Sequence, residues 1–226
     1  LHTGRELARS NLGNGVSMGI HESQSRFYEN IIGRSRAFCS VIYPWLKEHF
    51  APRLDNVTED DFYRIINKSE PSLIRTEADE LTYCLHIMVR YELEKRMFDG
   101  TLTAHDLPAE WNRLYKEYLG IDVPNDRQGV LQDSHWSNGN IGYFPSYAIG
   151  SAYGAQYLLE LSKELDVDAV VRSGDLTPIN NWLEEKIWKY GCMKDPVALF
   201  ESVCGKFDPD CYVAYLEKKF TEVYGL

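Results

Sequence analysis

The densest run of chemically capable side chains lies between Gly15 and Arg36, in GVSMGIHESQSRFYENIIGRSR. Its centre is His21-Glu22-Ser23-Gln24-Ser25-Arg26. On a helix, i,i+4 spacing sets Glu22 beside Arg26, Ser25 beside Glu29 and Asn30 beside Arg34. Met18, Phe27, Ile31, Ile32 and Phe38 keep an apolar stripe at helical spacing, so one flank faces a core. A carboxylate next to an imidazole on such a helix has two uses: a metal ligand with its supporting shell, or a structural polar network. The spacing leaves both open.

Two further segments carry similar density. Ser72–Asp99 opens with Arg75, Glu77, Asp79 and Glu80, then repeats apolar residues at Ala78, Leu81, Leu85, Met88, Val89 and Leu93. The pattern predicts one long helix from Thr76, with Arg75 and Asp79 as an i,i+4 pair. Tyr83 and His86 follow on it, His86 as a core histidine. Val130–Tyr147 (VLQDSHWSNGNIGYFPSY) loses helical periodicity and alternates small polar residues with aromatics, the composition of a loop that lines a pocket.

These segments resemble a known family. GVSMGIHESQSRFYENIIGRSRAF is similar to the His-Glu-Ser-Gln motif of the carboxypeptidase Taq metallocarboxypeptidases. Ile74-Arg75-Thr76-Glu77-Ala78 resembles the Ile-Arg-x-x-Ala motif of that family. Asp133-Ser134-His135-Trp136 and Gly142-Tyr143-Phe144-Pro145-Ser146-Tyr147 resemble its later aromatic segments. The resemblance implies Glu22 as a ligand of a catalytic zinc, with His21 and Gln24 close by and Gln24 among the substrate-binding residues. A carboxylate beside two imidazoles leaves a fourth zinc position open for water. The resemblance further implies Arg75 as the group that holds the free carboxylate of a peptide, for which a guanidinium fork is suited. It makes His135 and Tyr143 candidates for polarising the scissile carbonyl and Tyr147 a further substrate-binding candidate.

The family's two other metal ligands come from a His-Glu-x-x-His helix. The first fourteen residues carry only His2-Thr3-Gly4-Arg5-Glu6, without the glutamate and with arginine for the second histidine. His2 is expected to be a frayed terminal residue. Zinc, the family's cofactor, is therefore expected to be absent or weakly bound in this chain alone, and its activity negligible. A non-catalytic helical or peptide-binding module is the competing reading.

The elements that position these groups read as all-α: a single multi-helix domain over residues 15–226, behind a degenerate segment 1–14. It resembles the C-terminal half of a gluzincin-like helical metallopeptidase whose members are roughly twice as long. A helix from about Val16 is expected to reach Val41 and to end or kink at Pro44. Thr58 opens the next helix, which runs to about Asn67. Others are expected over Leu107–Leu119, Tyr147–Leu165, Val167–Ser173, Pro178–Tyr190, Pro196–Val203 and Pro209–Tyr224.

Bulk properties bound the partners. The 226 residues are 44% hydrophobic and 13% aromatic, enough for a substantial core. A net charge of −10 argues against nucleic acid and anionic membrane as partners. No apolar run approaches the ~20 residues that span a bilayer. Five widely spaced cysteines with no Cys-x-x-Cys pair fit a reducing, cytoplasmic setting. Peptide C-termini are the expected ligands, and self-association into a homo-oligomer is expected across an exposed apolar face.

Overall fold

A computed structural model describes residues 2–226. Ten α-helices follow in order among them: α1 (Met18–Arg26), α2 (Arg36–His49), α3 (Glu59–Ile66), α4 (Tyr83–Phe98), α5 (Leu107–Leu119), α6 (Pro145–Leu161), α7 (Val167–Arg172), α8 (Thr177–Lys186), α9 (Pro196–Cys204) and α10 (Asp210–Tyr224). No strand occurs among the described residues, as an all-α chain requires.

The helices gather in two compact units. The first runs to Asn67 and resumes over Ile149–Leu226; the second is Lys68–Ala148. Within the first, Phe27, Ile31, Ile32, Tyr157, Leu161, Ile179, Leu183, Leu199 and Phe200 form the main core. Each such buried side chain stabilises the fold by roughly 1.5–3 kcal/mol. A smaller cluster joins Cys39, Tyr63 and Val223. Within the second, Val89, Leu93, Leu102, Trp111, Leu114, Tyr115 and Leu119 pack α4 on α5, and Tyr83, Ile87 and Phe144 form a satellite.

Several expected boundaries hold. Thr58 and Asp61 cap α3 reciprocally, each side chain bonded to the other's backbone N–H. Gly120 closes α5 at φ +74°, a conformation that favours glycine.

Two long helices are shorter than the periodicity predicts. The expected Val16–Val41 helix breaks after Arg26 into a π-helical turn over Phe27–Ile32, closed by Gly33 N–H donating to the Tyr28 carbonyl at 2.8 Å. Ser35 then caps α2 through its hydroxyl. α2 continues past Pro44, which does not end it. Buried Tyr43, whose hydroxyl donates to the Val57 carbonyl, anchors the helix next to the missing backbone donor. The π turn also resets neighbours: Arg26 pairs with Glu29 at 3.0 Å, and Ser25 donates to Glu22 at 3.1 Å instead of facing Glu29.

The expected helix from Thr76 starts only at Tyr83. Arg75–Glu77 is a single 3-10 turn and Ala78 is extended. Asp79 is the cause. Its carboxylate accepts from the Leu81 and Thr82 N–H groups and the Thr82 hydroxyl, at 2.8–3.0 Å, so it caps the turn that leads into α4. Asp79 is thus committed to backbone, and the expected Arg75–Asp79 pair gives way to another partner for Arg75.

Candidate functional site

The candidate residues fall into two groups, one in each unit. In the first unit, α1 carries Glu22 and Gln24. Ser17 caps that helix through its hydroxyl, and Gly150 on α6 lies directly against it. A Cβ on Gly150 would come within 2.6 Å of the Glu22 Cβ and 2.7 Å of its carbonyl carbon. Glu22 is half-buried, its Oε2 accepting from the Ser25 hydroxyl. Gln24 is used at both ends: Trp188 Nε1 donates to its Oε1 and its Nε2 donates to Ser23 Oγ, each at 2.9 Å. Gln24 and His21 line a cavity of about 440 Å³ together with His2, Val16, Ile20 and Trp188. Gly15 gives the His21 imidazole its place, since a Cβ there would overlap the ring.

His2 is held, contrary to the expectation of a frayed end. Its Nδ1 lies 2.8 Å from Glu184 and its ring packs 5.0 Å from Trp188. The family's metal does not fit the donor set of the described residues alone. Among them no three His, Cys, Asp or Glu side chains gather into a group that could hold an ion. Glu22 would be one donor and would need others.

In the second unit, Arg75, His135, Tyr143 and Tyr147 come together over a buried charged cluster. Arg75 is 6% exposed. Its Nη2 donates to Asp133 Oδ1 at 2.6 Å, its Nε to the same oxygen at 3.1 Å, and its Nη1 to the Tyr83 hydroxyl at 3.0 Å. Arg90 is fully buried and grips the other carboxylate oxygen, Nε to Asp133 Oδ2 at 2.7 Å. Gln132 Oε1 accepts from Arg90 and from the Arg75 backbone. The carboxylate that Arg75 holds is therefore one of this chain's own. Burial alone would raise the Asp133 carboxyl, but the Arg75 hydrogen bond and the Arg90 charge outweigh it and hold it below the usual carboxylate range.

His135 sits above this cluster. Its Nε2 is 3.1 Å from the Tyr147 hydroxyl, and its ring lies 4.4 Å from Phe144 and 5.4 Å from Tyr143, centroid to centroid. Burial, then the charge of Arg75, push its imidazole below its ordinary pKa, so near pH 7 it is neutral. A neutral imidazole offers one hydrogen-bond donor and one acceptor nitrogen, so it can pair with a phenol and with a second group without carrying charge.

Sequence reasoning singled out neither Asp133 nor Arg90 as key groups. An arginine flanked by Val89 and Leu93 on an apolar helix face is itself a signal, because a buried guanidinium needs a carboxylate. His86, expected to be a core histidine, is fully buried, with Nδ1 3.1 Å from the Tyr115 hydroxyl.

Comparison with known proteins bears on these motifs. The family model for the carboxypeptidase Taq (M32) metallopeptidases matches residues 2–220. Carboxypeptidase 1 of Bacillus subtilis is 44% identical over 220 residues, covering 96% of this chain and 44% of that protein. Thermostable carboxypeptidase 1 of Thermus thermophilus is 43% identical, covering 94% of this chain and 42% of its own length. Among solved structures, the M32 carboxypeptidase from Deinococcus radiodurans superposes with a TM-score of 0.95 at 38% identity, over 100% of this chain and 46% of that one. The chain spans less than half the length of the curated relatives it matches.

Proposed function

The chain belongs to the carboxypeptidase Taq (M32) metallopeptidase family, and on that premise we propose that it forms part of an enzyme that removes residues from the C-termini of peptides. What supports the reading most directly is the grouping of His135, Tyr143 and Tyr147 over the buried Arg75–Asp133–Arg90 cluster. We assign Glu22 as one ligand of a metal, zinc by family resemblance.

The remaining roles follow from position. Asp133, clamped by two guanidiniums, fixes the loop that carries His135. His135 and Tyr143 present donors to the scissile carbonyl, where charge develops in the transition state. Tyr147 orients the imidazole through its hydroxyl. Arg75 is placed behind this surface, as a positioning group for Asp133 and Tyr83, since its fork is taken and it is nearly buried. Gln24 contacts substrate only if the Trp188 bond opens.

A second reading, a helical module that binds peptides without cleaving them, is favoured for the isolated chain by His2-Thr3-Gly4-Arg5-Glu6. The two readings separate in one experiment. This chain replaces the matching stretch of the Bacillus subtilis relative in a single polypeptide, and zinc content after dialysis is measured with release of C-terminal residues from a short peptide. We expect no stoichiometric zinc and no release for the isolated chain. We expect His135→Ala to lower kcat about 10²-fold in any active chimera, the scale of losing one transition-state donor. One zinc per isolated chain contradicts the expected loss of metal binding, and an unchanged kcat for His135→Ala contradicts the role given to His135.

A further inference from the structure

α4 grips the loop that carries His135 at two places, one helical turn apart. The first is Arg90, whose Nε donates to Asp133 Oδ2 at 2.7 Å. The second is Glu94, four residues on, whose Oε1 accepts from Trp136 Nε1 at 2.7 Å. Side chains four apart on a helix share a face, so the two grips stand side by side. In the loop the residues they hold, Asp133 and Trp136, enclose His135. The loop builds no regular element between Leu131 and Phe144. Its own bonds, such as Asn140 N–H to the His135 carbonyl at 2.8 Å, fold it on itself and do not tie it to the helix.

Glu94 is 5% exposed. A carboxylate that deep is costly unless its oxygens are hydrogen-bonded, and the partner it has is the indole, not a cation. It is placed as an acceptor for Trp136. The indole needs one, because it is wedged edge-on to Trp111 and Phe144, with ring centres 6.1 Å and 5.9 Å away, and carries a single N–H. Phe144 is in turn the ring nearest His135, at 4.4 Å. A shift of Trp136 is therefore felt at His135 twice, along the backbone and through Phe144.

We propose that Glu94 is a positioning residue for His135: by accepting from Trp136 it fixes the far side of the loop whose near side Asp133 fixes, and so holds the imidazole between Phe144 and the Tyr147 hydroxyl. The role rests on the reading of His135 given above and adds a residue to it. The test is nuclear magnetic resonance of the isolated chain at neutral pH with isotope-labelled histidine. The ring-nitrogen shifts of His135 report its tautomer and hydrogen bonds, and through-space transfer to the Phe144 ring protons reports its place. In the wild type we expect one tautomer and a Phe144 cross-peak. Glu94→Leu and Trp136→Phe should each lose the cross-peak and move the nitrogen shifts toward a mixture of tautomers. The two changes together should do no more than either alone, because they remove the same bond. Glu94→Gln, which keeps an acceptor for the indole, should restore the wild-type pattern. His86, two turns earlier on α4 and buried against Tyr115, serves as the control and should not move. Wild-type signals in Glu94→Leu, no restoration by Glu94→Gln, or His86 moving together with His135 overturns the proposal; the last would mean that the packing of α4 had been lost instead of one bond. Peptide cleavage is not read in this experiment, so a failure of the proposed activity and a failure of this role are separate results.

Discussion

Asp133 places one carboxylate between two guanidiniums with 10% of its side chain exposed, and the balance at that residue decides how the second unit responds to acid. Removing one member of a buried charged group leaves the others uncompensated, at a cost of about 3–5 kcal/mol. Asp133→Asn should therefore lower stability by about that much in urea denaturation. The pH dependence follows from direction. Asp133 has a depressed folded pKa, so its contribution is complete above the ordinary carboxylate pKa and is lost as pH falls through the folded value. His86 acts at higher pH. Burial, then the Arg90 and Arg75 charges, push its imidazole down to about 4. The unfolded chain takes up that proton first, so stability should decline between about pH 6.5 and 4, by about 3 kcal/mol for a shift of this size. His135 is shifted in the same direction and adds to the same limb. Asp133→Asn should keep the upper limb and flatten the part below it. A single steep limb below pH 4 in the wild type would contradict the His86 assignment.

At the scale of elements, the contact between α1 and α6 is the tightest point around Glu22. Gly150 permits it, because an added Cβ meets the Glu22 Cβ, its carbonyl carbon and the Ser23 nitrogen, all under 3.0 Å. Two of these are backbone atoms, which cannot rotate away. Gly150→Ala should destabilise by about 1–3 kcal/mol, the range for overpacking. One turn on, a Cβ at Gly154 would lie 3.4 Å from the Ser23 carbonyl, an ordinary contact. Gly154→Ala should be close to neutral in the same denaturation series, and equal losses at the two positions would refute the argument. Small residues along α6 were legible as a sign of close packing. That Gly150 in particular faces Glu22 was not, since it depends on the crossing point of the two helices.

At the scale of the whole chain, the surface is acidic and carries scattered large apolar side chains, among them Trp45, Ile65, Phe98 and Leu131. No helix among the described residues is long and apolar enough to cross a membrane. Self-association of the isolated chain through such groups is our expectation. Sedimentation velocity should show a concentration-dependent shift to larger species. A constant monomer across a hundredfold range of concentration would count against it.

The helix inventory was legible in the sequence because caps, glycines and 3.6-residue periodicity act over a few neighbours. Thr58, Gly120 and the Asp195–Pro196 start of α9 behave as their local chemistry requires. The order of the motif segments also placed the chain in its family. Tertiary structure alone decided where long helices break and whom each charge meets. Arg75 was legible as a fork suited to a carboxylate, yet which carboxylate depends on a loop 58 residues further along the chain. Asp79, one helical turn from Arg75, was the nearer candidate by spacing and was claimed by backbone N–H groups instead. Such choices turn on burial and on competition between distant groups, and no window of neighbouring residues contains that information.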